Sequence, residues 1–112
     1  MIKNNIDGEI SKMKIMVYQS EFDKYIELEL LGKLRYIGES FGVDGLTNNK
    51  IYDCVGVSLD GEMFSIVDDS KENYMYSFSN PRPIDGSSKG GIWEKCKIYD
   101  DKLNDLFDKI KK

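Results

Sequence analysis

The chain has 112 residues, enough for one domain with its own core, and its 20 acidic and 16 basic residues give a formal net charge of −4. This balance argues against direct nucleic-acid binding, because proteins that neutralise phosphates normally carry excess lysine and arginine. The chain has no histidine, the commonest general base and transition-metal ligand. We therefore expect no enzymatic activity, no cofactor and no metal site.

Residues 1–11 are polar and predict a loose arm or a short turn. They lack the apolar segment of a signal peptide, and no run is long enough to cross a membrane. A cytoplasmic location with both cysteines reduced is the expectation. Cys54 and Cys96 match no metal-ligand spacing, and a disulfide requires that their strands be neighbours. The favoured interpretation is that both are small buried hydrophobic residues.

Residues 12–31 predict a β-hairpin. Side chains over 12–18 and 26–30 alternate between apolar and mainly polar faces, with the period of a strand. A helix over 21–31 is the alternative, since a serine and an aspartate near its start resemble a capping box. The strand is favoured because the apolar residues would scatter around a helix, and the turn then falls at 20–23.

Short segments with a strand-like pattern, each ended by a turn, follow the hairpin. They are residues 34–38, 46–52, 59–67, 68–76 and 91–94. This spacing is typical of a small all-β barrel or sandwich. The connections over 38–50 and 79–91 are long and glycine-rich, and loops of this length often carry function.

The expected core consists of apolar residues in these segments: Ile37, Ile51, Val55, Val57, Ile66, Val67 and Trp93. Residues 100–112 predict a C-terminal amphipathic helix with Asp100 or Asp101 as its N-cap. Its apolar stripe is Leu103, Leu106, Phe107 and Ile110. We expect the stripe to fold back onto the chain's own β domain, with a dimer as the alternative, because association carries an entropic cost.

The candidate partner-binding residues are Asp68, Asp69, Glu72, Tyr74, Tyr76, Arg82 and Trp93. Adjacent carboxylates in a strand point to opposite faces, so the aspartates predict a turn that caps backbone N–H groups rather than a catalytic pair. The alternative is an acidic loop facing a cationic partner. The aromatic residues either line a groove for an extended peptide or lie half-buried in the barrel. Residues 86–91 lack the order of a phosphate-binding loop.

Three segments resemble short uncharacterised proteins of bacteria and their phages that carry a small SH3-like barrel. The segments are Arg35-Tyr36-Ile37-Gly38, Leu46-Thr47-Asn48-Asn49-Lys50-Ile51-Tyr52 and Ile66-Val67-Asp68-Asp69-Ser70-Lys71-Glu72-Asn73-Tyr74-Met75-Tyr76. Asn49 and Lys71 stand where the family pattern favours glycine. Asparagine tolerates the left-handed conformation, whereas the lysine predicts a different turn.

The resemblance covers about residues 34–78 and implies an SH3-like barrel of about five strands. With the hairpin and the helix, which lie outside it, we expect a mainly β single domain, 1–112: an N-terminal hairpin extension over 1–33, the barrel over 34–99 and the helix over 100–112. The chain shows no nucleophile–base pair, metal-ligand cluster or phosphate loop, and an SH3-like scaffold with two long loops favours a non-enzymatic protein-interaction module with a protein partner. We expect it to be a monomer. One alternative is a phage or mobile-element inhibitor whose acidic surface blocks a host defence nuclease or another nucleic-acid enzyme. A third is a small-molecule or nucleotide-binding protein with a pocket beneath the 79–91 loop.

Overall fold

The computed structural model describes residues 13–110, which form β-strands and one C-terminal helix. The elements are β1 (Lys14–Gln19), β2 (Lys24–Glu29), β3 (Gly32–Gly38), β4 (Ile51–Val57), β5 (Met63–Val67), β6 (Asn73–Ser77), β7 (Gly91–Ile98) and α1 (Asp101–Ile110). The fold is mainly β, as the alternating pattern predicts. The predicted arm over 1–11 and the last residues of the predicted helix, 111–112, lie outside the described residues.

Strands β1 and β2 pair as an antiparallel hairpin, and the other strands form one antiparallel sheet in the order β6-β5-β4-β3-β7. Within residues 13–110 this sheet stays open, since β6 and β7 do not pair. The hairpin confirms the strand interpretation of residues 12–31. The alternative helix over 21–31 is wrong, because residues 24–29 form β2. Asp23 lies in the turn between the two strands, and its left-handed φ of 51° is incompatible with a right-handed helix.

The hairpin is tied to the main sheet at both ends. At its base, Leu31 N–H donates a hydrogen bond to the Cys54 carbonyl over 2.8 Å. At its tip, the Gln19 amide donates to Asn73 Oδ1 over 2.8 Å. The hairpin therefore packs as part of the same folded unit.

Three predicted strands begin too early. The segment 59–67 starts in a turn, with Gly61 N–H donating to the Ser58 carbonyl over 3.0 Å, and β5 begins only at Met63. Residues 47–50 form a turn, with Lys50 N–H donating to the Thr47 carbonyl over 3.2 Å. Residues 68–72 form another, with Lys71 N–H donating to the Asp68 carbonyl over 3.0 Å. Asn49 and Lys71 have φ values of 72° and 75°, so both occupy the left-handed region. These are the positions where the family pattern favours glycine, and the lysine turn adopts the left-handed conformation as well.

The core is largely aromatic and lies on one face of the curved sheet, under the helix. Its members are Leu34, Tyr36, Phe41, Leu46, Tyr52, Cys54, Phe64, Ile66, Phe78, Trp93, Leu103 and Phe107. The predicted burial of Ile66 and Trp93 is confirmed. The prediction is wrong for the residues that are half-buried or exposed: Ile37, Ile51, Val55, Val57 and Val67. Strands β3 and β4 turn their tyrosines inward, and the period of two then directs the neighbouring isoleucines outward.

Helix α1 confirms the prediction of a C-terminal helix that folds back. Asp100 is its N-cap, since Oδ1 accepts hydrogen bonds from the N–H groups of Lys102 and Leu103 over 2.8 and 3.3 Å. Leu103 is fully buried, and the ring of Phe107 lies 4.8 Å from that of Phe78 between centroids. The side chain of Ile110 lies outside the described residues.

Candidate functional site

The turn between β5 and β6 uses Asp68 as an internal acceptor. Its Oδ1 accepts hydrogen bonds from the N–H and hydroxyl of Ser70 over 2.9 and 2.5 Å, and its Oδ2 accepts one from the Tyr76 hydroxyl over 2.6 Å. Burial and the hydrogen bond to Asp68 raise the pKa of Tyr76. Asp68 itself is buried. The capped-turn interpretation is therefore confirmed, and both carboxylate oxygens of Asp68 accept hydrogen bonds from within the protein.

Asp69 joins the same turn to the loop before β4. It accepts hydrogen bonds from Thr47 Oγ1 at 2.8 Å, Lys50 Nζ at 2.7 Å and the Tyr52 hydroxyl at 2.9 Å. Burial opposes ionisation, but the hydrogen bonds from Lys50, Thr47 and Tyr52 hold the pKa of Asp69 below its usual value. Burial raises the pKa of Tyr52 to about 12, and donation to Asp69 acts in the same direction. Asp69 thus holds the turn between β5 and β6 against the loop before β4 and the start of that strand.

Two more candidates also have internal roles. Glu72 Oε1 accepts a hydrogen bond from Ser20 N–H over 2.8 Å, which joins the hairpin turn to the main sheet. Trp93 is 7% exposed, and its ring packs edge-on against Tyr36 and Tyr52 at centroid distances of 5.7 and 6.3 Å. Of the two interpretations of the aromatic residues, the structure places Trp93, with Tyr36 and Tyr52, in the core of the domain rather than in a peptide groove.

The structure brings Tyr76 and Arg82 together at an open groove beside β6, which we call the β6 groove. It has a volume of about 630 Å³ and is lined by Met63, Met75, Tyr76, Ser77, Ser79, Asn80, Arg82, Pro83, Ile84 and Gly86. The methionines and Ile84 were missed by the sequence analysis. Methionines in two neighbouring short strands were the available signal, since methionine is common at adaptable binding surfaces. Tyr74 is 50% exposed and does not line the groove.

The loop over 79–90 forms the second wall of the β6 groove and is anchored at its base. Pro81 and Ser88 are buried. Lys89 N–H donates to Glu39 Oε1 over 2.7 Å, and Glu39 N–H donates back to the Gly90 carbonyl over 3.1 Å. The wall is thus held against the residues after β3, while Ile84 at its tip is fully exposed.

The outer face of β3, β4 and β7 carries charges of both signs. Lys33 lies 2.7 Å from Asp53, and Arg35 lies 3.6 Å from Glu94. Among the residues that the structure describes, this face therefore presents no continuous acidic surface. Within the described part of the chain, no three potential metal ligands cluster, and no helix is long and apolar enough to span a membrane.

The two cysteines have different environments, and both are free thiols. Cys54 is buried in the core, and burial raises the pKa of its thiol to about 12. Cys96 is exposed. The prediction of two buried cysteines is therefore right for Cys54 and wrong for Cys96.

No family model, curated protein or solved structure matches the chain. The likeness to SH3-like proteins of bacteria and phages thus stays a prediction. The candidate site depends on the geometry of the chain itself.

Proposed function

We propose that the chain is a non-enzymatic protein-interaction module that binds a segment of a partner protein in the β6 groove. The observation that carries this proposal is the composition of the groove. Met63, Met75 and Ile84 supply apolar contact area around Arg82, which has no ionic or hydrogen-bonding partner among residues 13–110. Protein interfaces are enriched in methionine, tyrosine and arginine, and all three types line this groove.

An SH3-like scaffold is part of the proposal. It is supported by short antiparallel strands in one curved sheet, with an aromatic core enclosed between them. It is also supported by the hydrogen bond that Trp93 on β7 donates to Ser77 on β6, at the opposite end of the strand order. The groove lies outside this core, so it can be occupied without disturbing the packing of the scaffold.

The other functions have less support. An inhibitor that acts through an acidic surface requires accessible carboxylates in one continuous patch. Asp68 and Asp69 accept hydrogen bonds within the protein, and on the outer face of β3, β4 and β7 Asp53 and Glu94 lie beside Lys33 and Arg35. Capture of a nucleotide or small molecule requires a deep pocket with Arg82, Lys89 and aromatic rings. Arg82 and Tyr76 line the β6 groove, but Lys89 does not. The backbone N–H of Lys89 donates a hydrogen bond to Glu39.

Selection from a random 12-residue peptide library on the folded protein tests the proposal. We expect enriched peptides whose affinity falls at least about tenfold in Met75→Asp and Arg82→Glu, because these changes place charge against apolar contacts or reverse the charge of the groove. Ile92→Asp and Lys97→Glu on the exposed part of β7 are matched controls and should bind normally. Failure to enrich any peptide, or equal loss in the control variants, would contradict the proposal.

A further inference from the structure

Strand β6 is an edge strand, and the hydrogen bonds at its two ends show which backbone groups face outward. Asp68 N–H donates to the Glu72 carbonyl over 3.1 Å, and Phe78 N–H donates to the Glu62 carbonyl over 2.9 Å. In an antiparallel pair, every second residue of a strand forms hydrogen bonds with the neighbouring strand. The backbone N–H and carbonyl groups of residues 72, 74, 76 and 78 therefore point towards β5. The N–H and carbonyl groups of Asn73, Met75 and Ser77 therefore point away from the sheet.

These outward groups are only partly satisfied. The Ser77 carbonyl accepts the indole N–H of Trp93 over 3.1 Å. The backbone N–H and carbonyl of Met75 have no hydrogen-bond partner among residues 13–110. Met75 lines the β6 groove. The groove thus lies alongside an unused pair of backbone hydrogen-bonding groups.

The two edges of the sheet are protected very differently. Strand β7 carries Glu94, Lys95 and Lys97, and its pairing with β3 is interrupted by a bulge beside Leu34. Charges and bulges are common features that prevent an edge strand from pairing with another chain. Strand β6 has the sequence Asn-Tyr-Met-Tyr-Ser, without charge or proline, and pairs with β5 in unbroken register. An uncharged, regular edge of this kind accepts a further strand.

The charge of the groove restricts what that strand can carry. Among the described residues that line it, Arg82 is the only charged one. Arginine pairs with carboxylates through two parallel hydrogen bonds, which gives direction as well as affinity. An acidic side chain on the ligand is therefore the complementary group.

From these observations we propose that the β6 groove binds an extended segment of a partner protein as an added β-strand on β6, with an aspartate or glutamate of that segment facing Arg82. This inference rests on the proposed function and specifies its binding mode. Main-chain hydrogen bonds give affinity in such strand addition, and alternate side chains give specificity. Met75 and Ile84 then contact apolar side chains of the ligand next to its acidic residue.

The first test is a scan of N-methyl groups along a peptide selected as above. An added strand forms hydrogen bonds with β6 through every second residue. Methylation of those backbone amides should therefore lower the affinity about tenfold or more, whereas methylation of the amides between them should leave it nearly unchanged. A peptide that loses affinity in Met75→Asp but shows no alternation would overturn strand addition and leave the proposed function intact. Failure to select any groove-binding peptide would overturn both.

The second test changes the protein. Met75→Pro removes an N–H that faces away from β5, so the sheet should persist while binding is lost. Met75→Ala keeps that N–H and should retain more affinity than the proline variant. Backbone amide NMR spectra establish that the proline variant is folded, and the N-methyl scan decides the question if it is not.

The third test concerns charge. Replacing the ligand's acidic residue by lysine should weaken binding to the wild-type protein and restore it to Arg82→Glu. An acidic residue whose removal leaves the affinity unchanged would overturn the assignment of Arg82. Circular dichroism of the complex should also show added strand signal.

Discussion

The indole N–H of Trp93 on β7 donates a hydrogen bond over 3.1 Å to the backbone carbonyl of Ser77 on β6, and so connects the two edge strands of the sheet. The sheet must curve strongly to bring these strands together. The same contact satisfies one outward carbonyl of β6, whereas the outward N–H and carbonyl of Met75, two residues earlier, have no hydrogen-bond partner in the described part of the chain. Trp93 therefore closes the core and also sets one end of the proposed binding edge.

Trp93→Ala should lower the free energy of unfolding by about 3–5 kcal/mol, because it removes a buried aromatic side chain at the centre of the core. Trp93→Phe keeps a ring but leaves the Ser77 carbonyl without its donor, and should cost about 1–3 kcal/mol. Urea unfolding measures both values. Ile92→Ala, at the exposed neighbouring position, is the control and should change stability by about 0.5 kcal/mol or less.

Lys71→Gly should raise the free energy of unfolding by about 1 kcal/mol. Lys71 has a φ of 75°, a conformation that is costly for a residue with a Cβ and easy for glycine. Lys71→Ala keeps the Cβ and should bring no such gain. Thermal unfolding of the three proteins separates the backbone effect from loss of the lysine charge, and equal stabilisation by both substitutions would contradict the explanation.

Asp69 should make stability depend on acid pH. The pKa of Asp69 is lower in the folded protein than its usual value. The stabilisation that the Asp69 carboxylate gives to the folded protein is therefore fully present above about pH 4, and it is lost as the pH falls through the pKa of the folded state. Asp69→Asn should therefore be less stable than wild type at pH 7, and the difference should shrink towards pH 3. Urea unfolding at several pH values tests this expectation.

Asp44→Asn is the control for the acid experiment. Asp44 is exposed in the loop before β4 and has no hydrogen-bonding partner among the described residues. The variant should keep the acid dependence of the wild-type protein. An identical loss of acid dependence in both variants would show that Asp69 is not the source.

Helix α1 should contribute to monomer stability through its buried face. Leu103→Ala should cost about 2–5 kcal/mol, because Leu103 is fully buried, while Asp105→Ala on the exposed face should cost little. Deletion of residues 100–112 should destabilise the protein without changing its oligomeric state, as measured by sedimentation. A dimer that becomes a stable monomer on this deletion would identify the helix as an interface.

The sequence by itself determined which local elements form. Strand alternation predicted the hairpin, and the apolar stripe with Asp100 predicted the helix, because both patterns depend on residues close together in the chain. The aspartate turn could also be predicted, since an aspartate caps backbone N–H groups within two residues of itself. Strand ends were less accurate, because turns such as 47–50 are stabilised by contacts with distant residues such as Asp69.

Only the tertiary structure decided which face of each strand is buried and where a ligand can bind. Alternation shows that a strand has two faces but does not show which face is buried in the core. The burial expected for Ile37 and Ile51 was therefore found at the adjacent residues, Tyr36 and Tyr52. The β6 groove combines β5, β6 and the loop over 79–90. No local pattern links Met63 to Arg82, because their proximity arises from the curvature of the sheet and from the anchoring of that loop on Glu39.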